Sequence, residues 1–191
     1  IIYDDAQIVV VIKASGFLSV PGRGPEKLDS VSERVRQAYP ACIAQPAVHR
    51  LDMDTSGLLV VAKKRSALVE MQALLREDHG AGITKRYLAL LTGRMPDGVM
   101  SVDAPLHVGL RQGGERHVQV NFRGKPSLSH SRLLERCSGQ SYCDVRIETG
   151  RTHQIRVHAQ HIGHPIAGDD KYGDEAANKR LREQVGLKRL F

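Results

Sequence analysis

The sequence predicts an α+β fold, with a mixed, mostly antiparallel sheet in two lobes flanking a central cleft. Three observations predict it. Short apolar runs rich in β-branched residues recur along the chain, amphipathic stretches of helix length are few, and the two kinds do not alternate as β–α–β units of a parallel sheet would. At 191 residues the chain fits a single domain, residues 1–191, with its lobes meeting near Gly93 to Gly98, where turn-forming residues cluster.

The elements follow in order. Ile8-Val9-Val10-Val11-Ile12 reads as a buried strand, and the Gly/Pro-rich stretch from Ser19 to Pro25 as the loop after it. Ser30-Val31-Ser32-Glu33 has capping-box spacing and starts a helix on Val31, Val35 and Ala38, which Pro40 stops. Leu58 to Ala62 is a second apolar strand, so Asp52 lies in the loop before it. Within Ser66 to Arg76, Leu68, Met71 and Leu75 repeat at helical spacing as a core stripe. Arg86 to Leu91, His117 to Phe122 and Ser141 to Ile147 are strand-like. Thr152 is placed to cap a helix to about Ile162, stopped by Gly163. A last helix, Glu175 to Val185, carries Ala177, Leu181 and Val185 four apart before Gly186.

Composition narrows the function classes. Hydrophobic residues make up 41%, with no run near the ~20 residues that span a bilayer, and Ile1 opens on strand-like sequence without a signal-peptide pattern. Cys42, Cys137 and Cys143 are odd in number and lack CxxC spacing, which fits a reducing compartment, with cytoplasm as the expected location. A net charge of +7 and a pI near 9.5 fit a polyanionic partner. With five Tyr, three Phe and no Trp, the chain is poor material for an aromatic stacking platform. If RNA is the partner, backbone charge and shape are expected to dominate.

The chemistry concentrates in His49-Arg50-Leu51-Asp52-Met53-Asp54-Thr55-Ser56-Gly57-Leu58-Leu59. Two carboxylates, a guanidinium and an imidazole pressed against an apolar strand cost free energy unless they are paired or chemically used. Other chemistries fail on spacing. His153, His158, His161 and His164 suggest a metal, and His158 and His161 share a helical face, but no HExxH or Cys set accompanies them. GxSxG is absent. Lys27 stands where Gly22-Arg23-Gly24 would need its third glycine, and Pro126 follows Gly124-Lys125 where a phosphate loop needs Ser or Thr.

The run from His49 to Leu58 resembles HRLDxxTSGL, the signature of the RluA-type pseudouridine synthases. Lys13-Ala14-Ser15-Gly16 resembles that family's Lys-Pro-x-Gly, with Ala14 in place of Pro loosening the turn. Lys85-Arg86-Tyr87-Leu88-Ala89, Gly124-Lys125-Pro126-Ser127, Thr149-Gly150-Arg151-Thr152-His153-Gln154-Ile155-Arg156-Val157-His158 and Gly163-His164-Pro165-Ile166 also resemble family segments. They occur in family order over essentially the whole chain.

The resemblance implies an enzyme that breaks the N1–C1′ bond of a uridine, turns the base and joins C5 to C1′. It is an isomerisation, so no cofactor or metal is expected. Asp52 is implied as the catalytic oxygen, acting at C1′, at C6 or on a ribose proton; the residues do not choose among these. Arg156 is implied as its charge partner, and Tyr87 as the ring beside the uracil and a base for the C5 proton. A target base must leave its stack first, and Arg50 is implied as the residue that fills the space. Arg50 and Asp52 alternate along an extended stretch and so share one side. Lys63, Lys64, Arg65, Lys85, Arg86 and Arg151 are the candidate phosphate contacts. Asp54 reads as a turn or capping residue.

The expected partner is structured RNA, ribosomal RNA ahead of transfer RNA, bound by a monomer. Lys64 to Leu68 and the ending Gly186 to Phe191 resemble members that modify large-subunit ribosomal RNA, whereas Ser19 to Arg23 resembles a member serving both RNAs. Family members often carry an S4-type domain, which the residues from Ile1 onward do not resemble, and the family continues past Phe191 with a His-containing strand, so the C-terminal end of the domain is expected to be missing. Two rivals stand beside this reading: an idle RNA-binding domain of the same fold, and a glycoside hydrolase, which would want a pair of acids.

Overall fold

Residues 1–76, 82–112 and 115–186 are described by the computed structural model. The chain divides into two units, Ile1–Glu77 and Asp78–Leu190. The division expected near Gly93 to Gly98 is therefore displaced. The strand before Gly93 pairs within the second unit, and that pairing outweighs the turn signals. Beyond Gly186, the family-like ending lies outside the described residues.

In the first unit, β1 (Tyr3–Asp4), β2 (Ile8–Lys13) and β3 (Gly57–Ala62) form an antiparallel sheet in the order β1-β2-β3. The helix start expected at Ser30 holds, through the serine half of the capping box. Ser30 accepts the Glu33 N–H at 3.3 Å and opens α1 (Val31–Ala38), whose Val31 and Val35 are buried. Before it, Pro25–Lys27 makes one 3₁₀ turn. The apolar stripe after β3 becomes α2 (Arg65–Leu74), with Leu68 buried against Val48, Ala62 and Ala67, and with Met71 and Leu75 packed alongside. The first strand departs from the wholly buried strand expected of it. Val9 and Val11 are buried while Ile12 is 64% exposed, because an antiparallel sheet covers only one face with core.

Among the described residues the second unit holds six strands and two helices: β4 (Lys85–Thr92), β5 (Val99–Asp103), β6 (Leu106–Gln112), β7 (Glu115–Val120), β8 (Leu128–Cys137), β9 (Gln140–Ile147), α3 (Gln154–His161) and α4 (Glu175–Val185). Four strands make one sheet, β4-β9-β8-β5, and β6-β7 form a separate hairpin. Every strand pairing among the described residues is antiparallel, and the architecture is the α+β class that the sequence predicts. Ala89, Leu91, Met95, Cys143, Val145, Ile147 and Ala159 form its main core, and Leu106, Val118, Val157 and Tyr172 a second. Among the described residues, no helix is long and apolar enough to cross a membrane.

α3 starts differently from expectation. Its N-cap is His153 in the left-handed region (φ 54°), with no side-chain capping bond of its own. Gln154, the first helical residue, instead ties the preceding turn to the helix: its Oε1 accepts the Arg151 N–H at 3.0 Å and the Thr149 hydroxyl at 2.7 Å. A polar network then runs into the sheet. Gln154 Nε2 donates to Ser129 Oγ and to the Leu128 carbonyl, both at 3.0 Å. His158 bonds Ser129 Oγ through Nδ1 at 3.0 Å and donates from Nε2 to the Ala104 carbonyl at 2.9 Å. Both ring nitrogens are thus engaged inside the protein.

Burial pushes the His158 pKa below its usual 6.5, outweighing the help that the Ala104 carbonyl gives the charged form. A base whose pKa falls on folding supports the folded state above its unfolded pKa and loses that support as pH drops. Urea unfolding between pH 8 and 5 should therefore show stability declining below about 6.5. His158→Gln, which can still donate to Ala104, should flatten that decline; an acid slope unchanged by the substitution would remove His158 as its source.

Candidate active site

In the first unit the signature residues form the loop between His49 and Gly57. Leu51 turns inward and is clamped on both sides by one buried hydroxyl: Ser19 Oγ accepts the Leu51 N–H at 3.0 Å and donates to the Leu51 carbonyl at 2.7 Å. Its neighbours turn outward, leaving Arg50 exposed and Asp52 half-buried, as their alternation predicts. The Thr55 N–H closes a turn onto the Asp52 carbonyl at 3.2 Å. His49 Nε2 accepts the Val60 N–H at 3.2 Å and ties the start of the loop to β3.

Lys13 holds the far side. Its side chain is buried, and its ammonium donates to the carbonyls of Ala14 (2.8 Å), Phe17 (2.7 Å) and Met53 (2.7 Å). The Gly16 N–H reaches the same Met53 carbonyl at 3.0 Å, and Ser15 donates to the Asp54 carbonyl at 2.8 Å. The Lys-Ala-Ser-Gly segment is thereby stitched to the Asp52 loop even without its proline. Burial lowers the Lys13 pKa, and the negative fields of Asp54 and Asp52 act against that drop. Asp54 is an exposed turn residue.

Lys63, Lys64 and Arg65 separate in role. Lys63 forms an ion pair with Asp4, donates to the Asp5 carbonyl at 2.6 Å and sits 4.1 Å over the Tyr39 ring, fastening the end of β3 to β1. Lys64 and Arg65 are exposed.

Tyr87, Arg156, Lys85, Arg86 and Arg151 belong to the second unit. Tyr87 lies on the inner face of the four-stranded sheet, half-buried against the main core. Arg86 precedes it on the strand and points to the opposite face, where its guanidinium donates to Asp144 at 3.2 Å (Nε–Oδ1) and 2.5 Å (Nη2–Oδ2). Arg86, with Arg132, holds that carboxyl below its ordinary range. Lys85 donates to the Glu148 carbonyl at 3.4 Å, and exposed Arg151 donates from Nε to the Pro126 carbonyl at 3.1 Å.

Arg156, on α3, meets a carboxylate that sequence reasoning missed. Its Nε and Nη2 donate to Asp169 Oδ2 and Oδ1 at 2.7 and 2.9 Å, a bidentate pair. Asp169 Oδ1 also accepts the N–H groups of Lys171 (2.9 Å) and Tyr172 (3.0 Å). Burial alone would raise the Asp169 pKa, but the Arg156 hydrogen bond and these amides outweigh it and hold the carboxyl below its usual value. The Arg156 guanidinium carbon lies 5.0 Å from the centre of the Tyr172 ring, which is itself buried. The Tyr172 hydroxyl accepts the Val118 N–H at 3.0 Å and shares a 2.8 Å hydrogen bond with His153 Nδ1. Gly173 lets the chain fold this tightly: a Cβ there would stand 2.0 Å from the Asp169 carbonyl oxygen. The available signal was an acid and a tyrosine enclosed by glycines in Gly168-Asp169-Asp170-Lys171-Tyr172-Gly173.

A guanidinium has five N–H donors, and Asp169 takes two of them, fixing its plane. Asp169→Ala leaves a largely buried cation without this partner and should lower the unfolding free energy by about 3 kcal/mol. Chemical denaturation of the two proteins side by side checks this; equal midpoints and slopes would mean the pair does not stabilise the fold.

Comparison with known proteins adds a second line. A family model described as RNA pseudouridylate synthase matches residues 7–161. The ribosomal large subunit pseudouridine synthases C of Escherichia coli (strain K12) and Salmonella typhi are each 46% identical over 192 residues, covering 100% of this chain. The chain spans 59% of the length of those curated relatives. Among solved structures, human RNA pseudouridylate synthase domain containing 1 superimposes with a TM-score of 0.72 at 26% identity, covering 93% of this chain and 71% of that one. Human RNA pseudouridylate synthase domain containing 4 also gives 0.72, at 23% identity over 98% and 76% of the two chains, a likeness of fold.

Proposed function

The chain belongs to the RNA pseudouridylate synthase family, and from that premise we propose that it isomerises uridine to pseudouridine in structured RNA, with large-subunit ribosomal RNA as first substrate and transfer RNA as second. The observation that carries the reading is the loop of Asp52: it stands in the family signature and is immobilised from beneath by Ser19 and Lys13. An acid that must meet one atom of a flipped nucleotide gains from a loop fixed before substrate arrives. The names of the curated relatives favour ribosomal RNA, and the +7 charge suits it.

In this reading Asp52 supplies the anionic oxygen on which cleavage of N1–C1′ depends. The released uracil turns within the site, C5 bonds to C1′, and the C5 proton departs while N1 gains one, so substrate and product are isomers. Arg156 serves as the charge partner of the acid, Tyr87 packs beside the base and receives the C5 proton, and Arg50 fills the gap left in the RNA. Lys64, Arg65 and Arg151, all exposed, are the first choices for phosphates. Lys63 and Arg86, already paired with Asp4 and Asp144, are second choices, and partly buried Lys85 stands with them. The enzyme works as a cytoplasmic monomer without cofactor or metal.

The test is pseudouridine mapping on unmodified transcripts of large-subunit ribosomal RNA and of transfer RNA. Wild-type protein should convert specific uridines in the ribosomal transcript. Asp52→Asn should abolish conversion while RNA affinity stays within about 1 kcal/mol, since phosphate contacts dominate binding. Binding without conversion by the wild type would favour the idle RNA-binding domain, and equal loss of binding and conversion in the variant would count against Asp52 as the reacting acid.

A further inference from the structure

Phe122 stands in the turn that follows β7 and is 83% exposed, more than the other exposed large apolar side chains among the described residues. Single exposed apolar residues are ordinary on protein surfaces, so exposure alone means little. The setting gives it meaning. The turn is held rigidly: the Gly124 N–H bonds the Asn121 carbonyl at 2.8 Å, and the Arg123 N–H bonds Asn121 Oδ1 at 2.9 Å. The Asn121 N–H bonds the Pro105 carbonyl at 2.9 Å, and Lys125 and Leu106 exchange both main-chain bonds at 2.8 and 2.9 Å. Gly124 is pressed so closely on β6 that a Cβ would stand 2.4 Å from the Leu106 carbonyl carbon. The ring is therefore displayed by a fixed scaffold, with little freedom to fold back onto the protein.

Cations surround it. The Arg123 guanidinium carbon lies 5.2 Å from the centre of the Phe122 ring, Lys125 is exposed two residues on, and Arg151 is tied to the same turn through the Pro126 carbonyl. Neither 121–127 nor 149–152 contains a carboxylate. An aromatic face beside several unneutralised cations matches a polyanion that carries flat rings. A protein partner would be better served by a continuous apolar patch with charges of both signs.

We propose that this turn is a docking element for the RNA substrate: Phe122 stacks on one unpaired base, while Arg123, Lys125 and Arg151 hold the flanking phosphates. The inference rests on RNA being the substrate and adds a contact to one defined region of it. It also refines the expectation drawn from aromatic content. Eight aromatics are too few for a platform, but one rigid ring suffices for a single base.

The chain has five tyrosines but no tryptophan, so Phe122→Trp places a sole tryptophan at the site, to be excited selectively at the red edge where tyrosine does not absorb. Titrated with unmodified large-subunit ribosomal RNA transcript, its emission should be quenched, with the same midpoint as anisotropy of the labelled RNA. Polyphosphate, an anion without bases, should bind and leave the emission unchanged. Phe122→Ala should weaken affinity for the transcript about tenfold. Phe122→Tyr should retain it, and Phe122→Leu should not restore it. Affinity within twofold for Phe122→Ala, or unquenched tryptophan at saturating RNA, or equal quenching by polyphosphate, would each overturn the proposal. Conversion by a protein whose binding ignores position 122 sinks this inference alone, stacking without conversion sinks only the reaction, and a wild type that does not bind the transcript sinks both.

Discussion

A polar group taken out of water must find partners inside the protein, and in each unit this requirement decides which loops stand still. In the first, the Lys13 ammonium draws carbonyls from two segments, Ala14–Phe17 and Met53, onto one point. Lysine suits the task because its three donors sit on a compact charge at the end of a flexible stem. In the second unit, Asp169 collects a guanidinium and two amides on one carboxylate. Each is a centre of opposite sign that gathers main chain around itself, and each lies beside a residue to which chemistry is assigned.

The same requirement explains what could be read from the sequence. Signals confined to a few residues were legible: Ser30 caps α1 through a bond to the Glu33 N–H that spans only three positions. The HRLD run and its loop were legible as well, since the acid sits directly before an apolar strand. Strand β8 was not. Its inward positions include Ser129 and Ser131, which look like solvent-facing residues until Gln154 and His158 supply the partner of Ser129 from a helix 25 or more residues away. Thr152 failed as a cap for a related reason. Gln154 reaches backward to the Arg151 N–H, leaving His153 to absorb a left-handed turn that propensity alone would assign elsewhere. The Arg156–Asp169 pair depends on a fold that brings α3 beside the Gly168–Gly173 turn, and no periodicity reports that.

Strand pairing also separated residues that the sequence lists together. Lys85, Arg86 and Tyr87 are consecutive, but a strand sends neighbours to opposite faces. Arg86 therefore joins Asp144 and Arg132 on the outer face while Tyr87 packs toward the core. Clustered charges in the sequence became two populations, one balancing carboxylates within the fold and one left facing solvent. It is the second that suits a phosphate backbone, and Arg123 and Lys125 belong to it.

The place of Lys13 at the end of β2 has a consequence for how that hairpin finds its alignment. Ile8 to Ile12 and Leu58 to Ala62 are apolar at every position, so oily side chains alone would accept a slip of one residue almost as readily as the native match. Lys13 pairs with Gly57 and points inward with Val9 and Val11. A slip would swing the ammonium out and leave its three carbonyls stranded in a dry interior. A charged residue thus serves as the registration pin of an otherwise ambiguous pair of strands.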